Sequence, residues 1–197
     1  MTVALGWSPW TGDIGLVRVN GFAGRAIRAA QWLDGDGFAD YEHAVICVGC
    51  ETRTVRGRKQ MLAKCVGAQP GGADIEYYGA QDDMVWSRFN LSTGERAKIK
   101  DAALSYYGTP YSFADYAAIG AHRLHVPAPG LKTYIASSKH MICSQLVDQC
   151  YQDAGLQLFR DGRWPGLVTP GDLDQLITTR GSGWTPYRQP LPSRGRA

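Results

Sequence analysis

A cysteine and a histidine lie at positions where they could act as a nucleophile and its base. Cys143 falls near the start of residues 140–156, whose apolar spacing predicts a helix. A helix N-terminus stabilises negative charge, and the thiolate is the form of cysteine that attacks a carbonyl. His43 lies in residues 41–49, a short apolar segment typical of a buried strand. Because an imidazole can take the proton of a nearby thiol, the pair predicts acyl-transfer chemistry.

Cys143 also has a purely structural interpretation. It shares one helical stripe with Val147, Cys150 and Ala154, and such a stripe faces the core. Free cysteine is among the most buried residue types in proteins. From this helix alone burial is the simpler explanation, so the enzymatic interpretation depends on the residues that accompany Cys143.

His140 is a second candidate for the base. It lies three residues before Cys143, a spacing that brings two side chains to the same side of a helix. His43 would instead approach Cys143 from a strand across a cleft. The residues alone leave both histidines as candidates.

Two other groups of residues could be metal ligands, but neither pattern favours a metal. Cys47, Cys50 and Cys65 supply the sulfur that zinc prefers. In a strand, however, a spacing of three sends the side chains of Cys47 and Cys50 to opposite faces. His122 and His125 have helical spacing but no nearby carboxylate, and a Pro-rich loop follows them. We therefore expect no metal and no cofactor.

Length and composition are those of an ordinary globular domain. The chain has 197 residues, of which 44% are apolar and 20% charged, enough to bury a core. A net charge of +3 is too small to indicate nucleic acid, and no run approaches the ~18 apolar residues of a membrane helix. Residues 1–15 lack the pattern of a secretory signal. We expect a protein made in the cytoplasm, with free thiols, no membrane span and no nucleic-acid partner.

The segments around these candidates predict an α+β fold. Strands are expected at residues 13–20, 41–49, 60–69, 75–79 and 84–89. Helices are expected at residues 21–33, 92–108, 110–124, 140–154 and from 169 onward. Ser92 and Glu95 have the spacing of a capping box. Thr169 is placed to cap the last helix, with Pro170 at its first position and Asp172 in its first turn.

The domain boundaries follow from the same pattern. Residues 1–184 are expected to form a single domain, because no internal repeat or linker divides them. Residues 185–197 are rich in Pro and Arg, which predicts a flexible tail.

Five short segments, in a fixed order, carry a resemblance to a known superfamily. They are GDIGLVRVNG at 12–21, YEHAVICVG at 41–49, YYGTPYSFADY at 106–116, ICSQLVDQCYQDAGL at 142–156 and VTPGDL at 168–173. In this order the chain resembles the circularly permuted branch of the NlpC-type, papain-like cysteine peptidase superfamily, which is related to lecithin retinol acyltransferase-like proteins. The resemblance extends from about residue 12 to residue 177.

The resemblance implies a papain-like fold, in which a small antiparallel sheet packs against helices and the histidine strand precedes the cysteine helix. It implies that Cys143 is the nucleophile and His43 the general base, since the base of papain-like sites comes from a strand and not from the position of His140. Tyr111, in GTPY, matches an aromatic residue that the family places beside the site. Its hydroxyl could hold the oxyanion together with the backbone N–H of Cys143; a core aromatic is the structural alternative.

The residue that orients the histidine is missing from its expected position. Many permuted members carry a Glu in a segment resembling CVGAQPGG, and this chain has Gly67 there. Gln69 lies on the same strand face and could substitute, because its amide oxygen can accept from an imidazole N–H. Asp74 and Glu76 lie further along the chain. The departure leaves open a catalytically degenerate member.

The resemblance implies a cysteine hydrolase that cleaves an amide bond, with peptidoglycan stem peptides or another peptide as substrate. A chain without a signal peptide would also suit a phage-encoded protein of the virion or tail, with other virion proteins as partners. Two alternatives stay open. One is a thioesterase or lipid acyltransferase that uses the same Cys–His site, and the other is a structural or binding module of a larger assembly.

Overall fold

The structure of the protein, a computed structural model, describes residues 8–18, 41–69, 71–110, 142–161, 163 and 167–188. In chain order its elements are β1 (Ile14–Val17), β2 (His43–Val55), β3 (Arg58–Gln69), β4 (Gly72–Tyr78), β5 (Met84–Trp86), α1 (Thr93–Ser105), α2 (Cys143–Asp153), β6 (Leu156–Gln157), α3 (Pro170–Arg180) and β7 (Tyr187–Arg188). This arrangement confirms the predicted α+β class. The helices predicted at 21–33 and 110–124 lie outside the described residues.

Strands β1 to β5 form one antiparallel sheet in the order β4-β3-β2-β1-β5. Successive side chains of each strand point to opposite faces of this sheet. One face joins the helices in the main core, to which Leu16 and Ile46 of the sheet and Leu146 of α2 belong. The other face carries a smaller buried cluster that includes Val45 and Trp86. The sheet thus separates two buried layers.

The hairpin formed by β2 and β3 is longer than the sequence pattern predicts. The segment expected as a loop continues the strand pairing as far as Val55 and Arg58. Arg56 and Gly57 both have positive φ, of 48° and 75°, as a two-residue type I′ turn requires. Pairing extends to this turn because a tight two-residue turn lets the strands stay in register up to its edges.

The capping residues of α1 and α3 are as predicted. The Ser92 side chain accepts from the backbone N–H of Glu95, and the Glu95 carboxylate accepts from the N–H of Ser92. Thr169 and Asp172 make the same reciprocal pair, with Pro170 in the first turn of α3. These bonds satisfy N–H groups that a helix start leaves without partners.

Helix α2 begins at Cys143 itself. The N–H of Ile142, which precedes it, donates to the side-chain oxygen of Gln145 at 2.9 Å. The predicted stripe is confirmed, since Cys143, Val147, Cys150 and Ala154 are all buried.

The chain beyond residue 184 begins with ordered structure. Tyr187–Arg188 pair with Leu156–Gln157 as a two-stranded antiparallel sheet. Arg188 also donates from Nε to the Glu95 carboxylate at 2.9 Å. Part of the predicted tail therefore belongs to the fold, because it supplies the partner strand for β6. In the segments that the structure describes, no helix has both the length and the apolar character needed to cross a bilayer.

Candidate active site

The structure brings His43 and Cys143 together. His43 is the first residue of β2, paired with Val17 of β1, and its side chain is 13% exposed. Cys143 is the first residue of α2 and is 3% exposed. The Cys143 thiol interacts with the His43 imidazole and helps to raise its pKa. Residues a hundred positions apart therefore meet at the start of a strand and the start of a helix.

Glu76 is the second partner of His43. The Nε2 atom of His43 lies 3.1 Å from Oε1 and 3.2 Å from Oε2 of Glu76. Glu76 lies on β4, where it pairs with Cys65 of β3, so its carboxylate reaches across one whole strand to the imidazole. In space, the imidazole of the site therefore has the Cys143 thiol as one neighbour and the Glu76 carboxylate as another.

Gly67 makes this reach possible. It lies on β3 between the two groups, opposite Val45 on one side and Asp74 on the other. A Cβ at this position would overlap Oε1 of Glu76 and would lie 3.0 Å from Nε2 of His43. Only a residue without a side chain leaves room for the Glu76–His43 contact.

Tyr78 holds the far side of the carboxylate. Its hydroxyl donates to Oε2 of Glu76. Burial, together with the charge of Glu76, raises the pKa of Tyr78, so this hydroxyl keeps its proton and remains a donor. Glu76 is therefore fixed by one neutral donor and by the imidazole.

The electrostatics of the site favour charged forms of both His43 and Glu76. Burial lowers the pKa of His43, but the hydrogen bonds and charges of Cys143 and Glu76 outweigh it and raise that pKa to about 10. Burial likewise raises the pKa of Glu76, but the hydrogen bond and charge of His43 hold it below the usual value. An imidazolium flanked by a carboxylate and a thiol is the state that stabilises a thiolate.

The structure corrects the prediction for Gln69. Glu76, not Gln69, is the partner of the His43 ring, while Gln69 lies at the end of β3 opposite Gly72. Glu76 is the partner because it carries a negative charge and because its carboxylate extends over Gly67 to accept from Nε2 of His43. Period-two alternation along 72–78 places Glu76 on the same face as Asp74 and Tyr78, and this was the signal available in the sequence.

The remaining predicted site residues lie outside the described segments. They are Tyr111 and His140, together with the weaker metal candidates His122 and His125.

The cysteines of β2 and β3 depart from their predicted geometry. A β-bulge shifts the strand register between Cys47 and Gly49, so Cys50 comes to the same side as Cys47 and their thiols interact. The predicted separation on opposite faces is wrong, because a bulge adds one residue to the alternation. Among the residues that the structure describes, no group of three or more His, Cys, Asp or Glu could hold a metal ion.

No protein-family model matches this chain, and no curated protein matches it.

Proposed function

We propose that this protein is a cysteine hydrolase that cleaves an amide bond with Cys143, His43 and Glu76. One observation carries the proposal: a single imidazole has a carboxylate 3.1 Å from Nε2 and also interacts with a thiol at a helix start, which helps to raise the pKa of the imidazole. Cysteine hydrolases need this combination of nucleophile, base and orienting group.

Each residue has a distinct role in the proposed reaction. His43 holds the proton of Cys143, and the thiolate attacks the carbonyl carbon of the amide. The oxyanion forms near the start of α2, where backbone N–H groups have no acceptor within the helix. His43 then gives its proton to the leaving amine, and water hydrolyses the thioester to restore the thiol. Glu76 remains ionised and holds the ring in place.

The proposed substrate is the stem peptide of peptidoglycan. This part of the proposal draws on the resemblance to permuted NlpC-type, papain-like enzymes, whose order of segments the chain follows. His43 on β2 and Cys143 on α2 fit the permuted order, and Glu76 supplies a carboxylate from β4 where many members would carry it at Gly67. Action on the cell wall would suit a phage-encoded virion or tail protein.

A purely structural or binding module is the less favoured alternative. It depended on the loss of the orienting carboxylate at Gly67. Glu76 contacts the same imidazole at 3.1 Å and 3.2 Å, and this contact supports the catalytic proposal over the structural one, because it provides an orienting carboxylate from another strand.

The function is tested by incubating the full chain with purified peptidoglycan, stem-peptide fragments and a long-chain acyl thioester. We expect amide cleavage in the wall fragments, seen by mass spectrometry as a new amine and a new carboxylate. Cys143→Ala should abolish it, and Gln69→Ala should not. Hydrolysis of the acyl thioester alone would favour the alternative of a thioesterase or lipid acyltransferase. Cleavage of no substrate by folded protein would contradict the proposal.

A further inference from the structure

Three thiols form a second cluster of nucleophiles, separate from Cys143. Cys47 of β2 and Cys65 of β3 are direct partners in the strand register, and both are fully buried. The bulge after Cys47 brings Cys50 to the same side of the sheet, and the Cys47 and Cys50 thiols donate to the carbonyls of Gly49 and Pro9. Cys50 is exposed, and none of the three takes part in a disulfide. The cluster thus runs from the surface into the sheet.

The backbone around Cys47 brings its side chain close to that of Cys65. The carbonyl of Cys47 accepts from the N–H of Gly12 at 2.7 Å, and its N–H donates to the carbonyl of Asp13 at 2.9 Å. Both backbone groups therefore point towards the chain around β1, which makes Cys47 and Cys65 a pair without mutual backbone hydrogen bonds. Such pairs have Cα atoms about 4.5 Å apart, within the roughly 4.4–6.8 Å that a disulfide spans.

Cys50 gives the cluster an entrance. It lines a surface cavity of about 580 Å³ together with Trp10, Gly49, Arg96 and Lys100. A small disulfide fits in this volume, and the cationic Lys100 in the lining attracts one that carries carboxylates, whereas the Arg96 guanidinium is paired with the buried Asp13. The exposed Cys50 thiol and the cavity beside it therefore indicate a small disulfide as the reactant.

We propose that Cys50, Cys47 and Cys65 form a thiol–disulfide exchange site, which reacts with an anionic low-molecular-mass disulfide and ends as a Cys47–Cys65 disulfide. The site is independent of the proposed hydrolase activity, because it uses neither Cys143 nor His43.

The exchange proceeds in three balanced steps. The Cys50 thiolate attacks the small disulfide, forming a mixed disulfide and releasing one small thiol. Cys47 attacks the Cys50 sulfur and releases the second small thiol. Cys65 then attacks the Cys47 sulfur and returns Cys50 to its thiol form. In total, two protein thiols lose two electrons and two protons, and the small disulfide gains them.

Of the three thiols only Cys47 has a lowered pKa, because burial raises the pKa of both Cys50 and Cys65. The interaction with Cys65 lowers the pKa of Cys47, which favours its attack on the mixed disulfide. A Cys47–Cys50 bond would bridge the bulge, whereas Cys47 and Cys65 face each other directly. The facing pair is therefore the end product.

The test uses the full chain carrying Cys143→Ala, so that the candidate nucleophile does not react. The reduced protein is incubated with glutathione disulfide, quenched in acid and digested with trypsin without reduction. Arg53 and Lys64 lie between the cysteines, so Cys65 falls in a different peptide from Cys47 and Cys50. We expect the two peptides to be joined through Cys47 and Cys65, with two hydrogens lost and no glutathione retained.

Three further variants of the same protein define the route. Cys50→Ala should slow formation of the cross-link by about tenfold or more without changing the product. Cys65→Ala should abolish it. Cys150→Ala removes another buried thiol, outside the cluster, and should leave the rate unchanged. Circular dichroism verifies that each variant is folded.

Other products would overturn the proposal. A glutathione adduct that persists at Cys50, with Cys47 and Cys65 still free to be alkylated after unfolding, would show that no exchange occurs. A stable Cys47–Cys50 disulfide would show that Cys47–Cys65 is not the end product. An unchanged rate in Cys50→Ala would show that Cys50 is not the entrance.

Discussion

The carboxylate of Glu76 contacts the imidazole of His43 across an intervening strand. Nε2 lies 3.1 Å and 3.2 Å from the two carboxylate oxygens, although His43 begins β2 and Glu76 belongs to β4. Strand β3 passes between them and contributes Gly67 at the crossing point. The relationship links three strands to the start of α2 and defines the proposed catalytic unit.

Loss of the Glu76 charge should reduce activity far more than loss of the Gln69 side chain. Glu76→Gln keeps the size of the side chain but removes the charge that stabilises the imidazolium. We expect kcat/KM for peptide cleavage to fall by about 10²–10⁴-fold, as for other orienting carboxylates. Gln69→Ala serves as the matched control and should change kcat/KM by less than about threefold. Equal effects of the two variants would remove Glu76 from its assigned role.

Adding a single methyl group at Gly67 should separate His43 from Glu76. In Gly67→Ala the new Cβ would overlap Oε1 of Glu76 and would lie 2.7 Å from Cγ1 of Val45. We expect activity to fall towards that of Glu76→Gln, while the far-ultraviolet circular dichroism stays that of the parent. Gly71→Ala is the control, because a Cβ there meets nothing within 4 Å. Full activity in a folded Gly67→Ala protein would contradict the assigned geometry.

His43 should make stability depend on pH in the alkaline range. Its pKa is raised from 6.5 to about 10, because the bonds and charges of Cys143 and Glu76 outweigh burial. A raised pKa means that the stabilisation is fully present below about pH 6.5 and is lost as pH rises through about 10. The lowered pKa of Glu76 acts in the opposite direction. Its contribution is present above pH 4.5 and is lost as pH falls through the folded value.

Urea unfolding of wild type and His43→Gln at pH 6 and pH 10.5 measures this contribution. The difference in unfolding free energy between the two proteins should be smaller at pH 10.5 by on the order of 2–4 kcal/mol. For Gln69→Ala, the difference in unfolding free energy from wild type should be the same at pH 6 and pH 10.5. If the difference in unfolding free energy between wild type and His43→Gln were equal at both pH values, the imidazole would not be held protonated.

Arg96 should be essential for the stability of the helix–sheet contact. Its guanidinium donates to Asp13 at 2.9 Å and to the carbonyls of Thr11 and Phe89, and Asp13 is fully buried. Arg96→Ala leaves a buried carboxylate without its cation, so we expect a loss of about 3 kcal/mol or more. The exposed Asp83, which pairs with Arg18 at 3.3 Å, is the control; Asp83→Ala should cost less than about 1 kcal/mol. Thermal and urea unfolding measure both variants. Equal losses of unfolding free energy in Arg96→Ala and Asp83→Ala would contradict the role assigned to Arg96.

Local features of the fold were predictable from the sequence. The capping pairs at Ser92 and Thr169 are signals contained within four residues, and both are present in the structure. The buried stripe of α2 follows from helical spacing in the same way. Each of these depends on neighbours along the chain, which is why pattern alone suffices.

The partner of His43 depends on strand pairing and could not be placed by pattern. Position 67 on β3 looked like the site of the missing carboxylate, and Gln69 was the nearest polar substitute. The register of β3 against β4 puts Glu76 beside the gap that Gly67 leaves, and this register comes from long-range pairing. The bulge after Cys47 was missed for the same reason, since an inserted residue is defined only against the partner strand.

The most direct test of the central claim is the rate at which iodoacetamide alkylates Cys143 between pH 5 and pH 10, followed by peptide mapping. In wild type we expect alkylation at pH 6 to stay within about threefold of the rate at pH 9, because the proposed mechanism requires His43 to pair with Cys143 as an imidazolium. In His43→Ala the rate at pH 6 should fall by at least about tenfold, whereas His140→Ala and Gln69→Ala should match wild type. A slow thiol at pH 6 in every protein, or a loss seen only in His140→Ala, would contradict the Cys143–His43–Glu76 site.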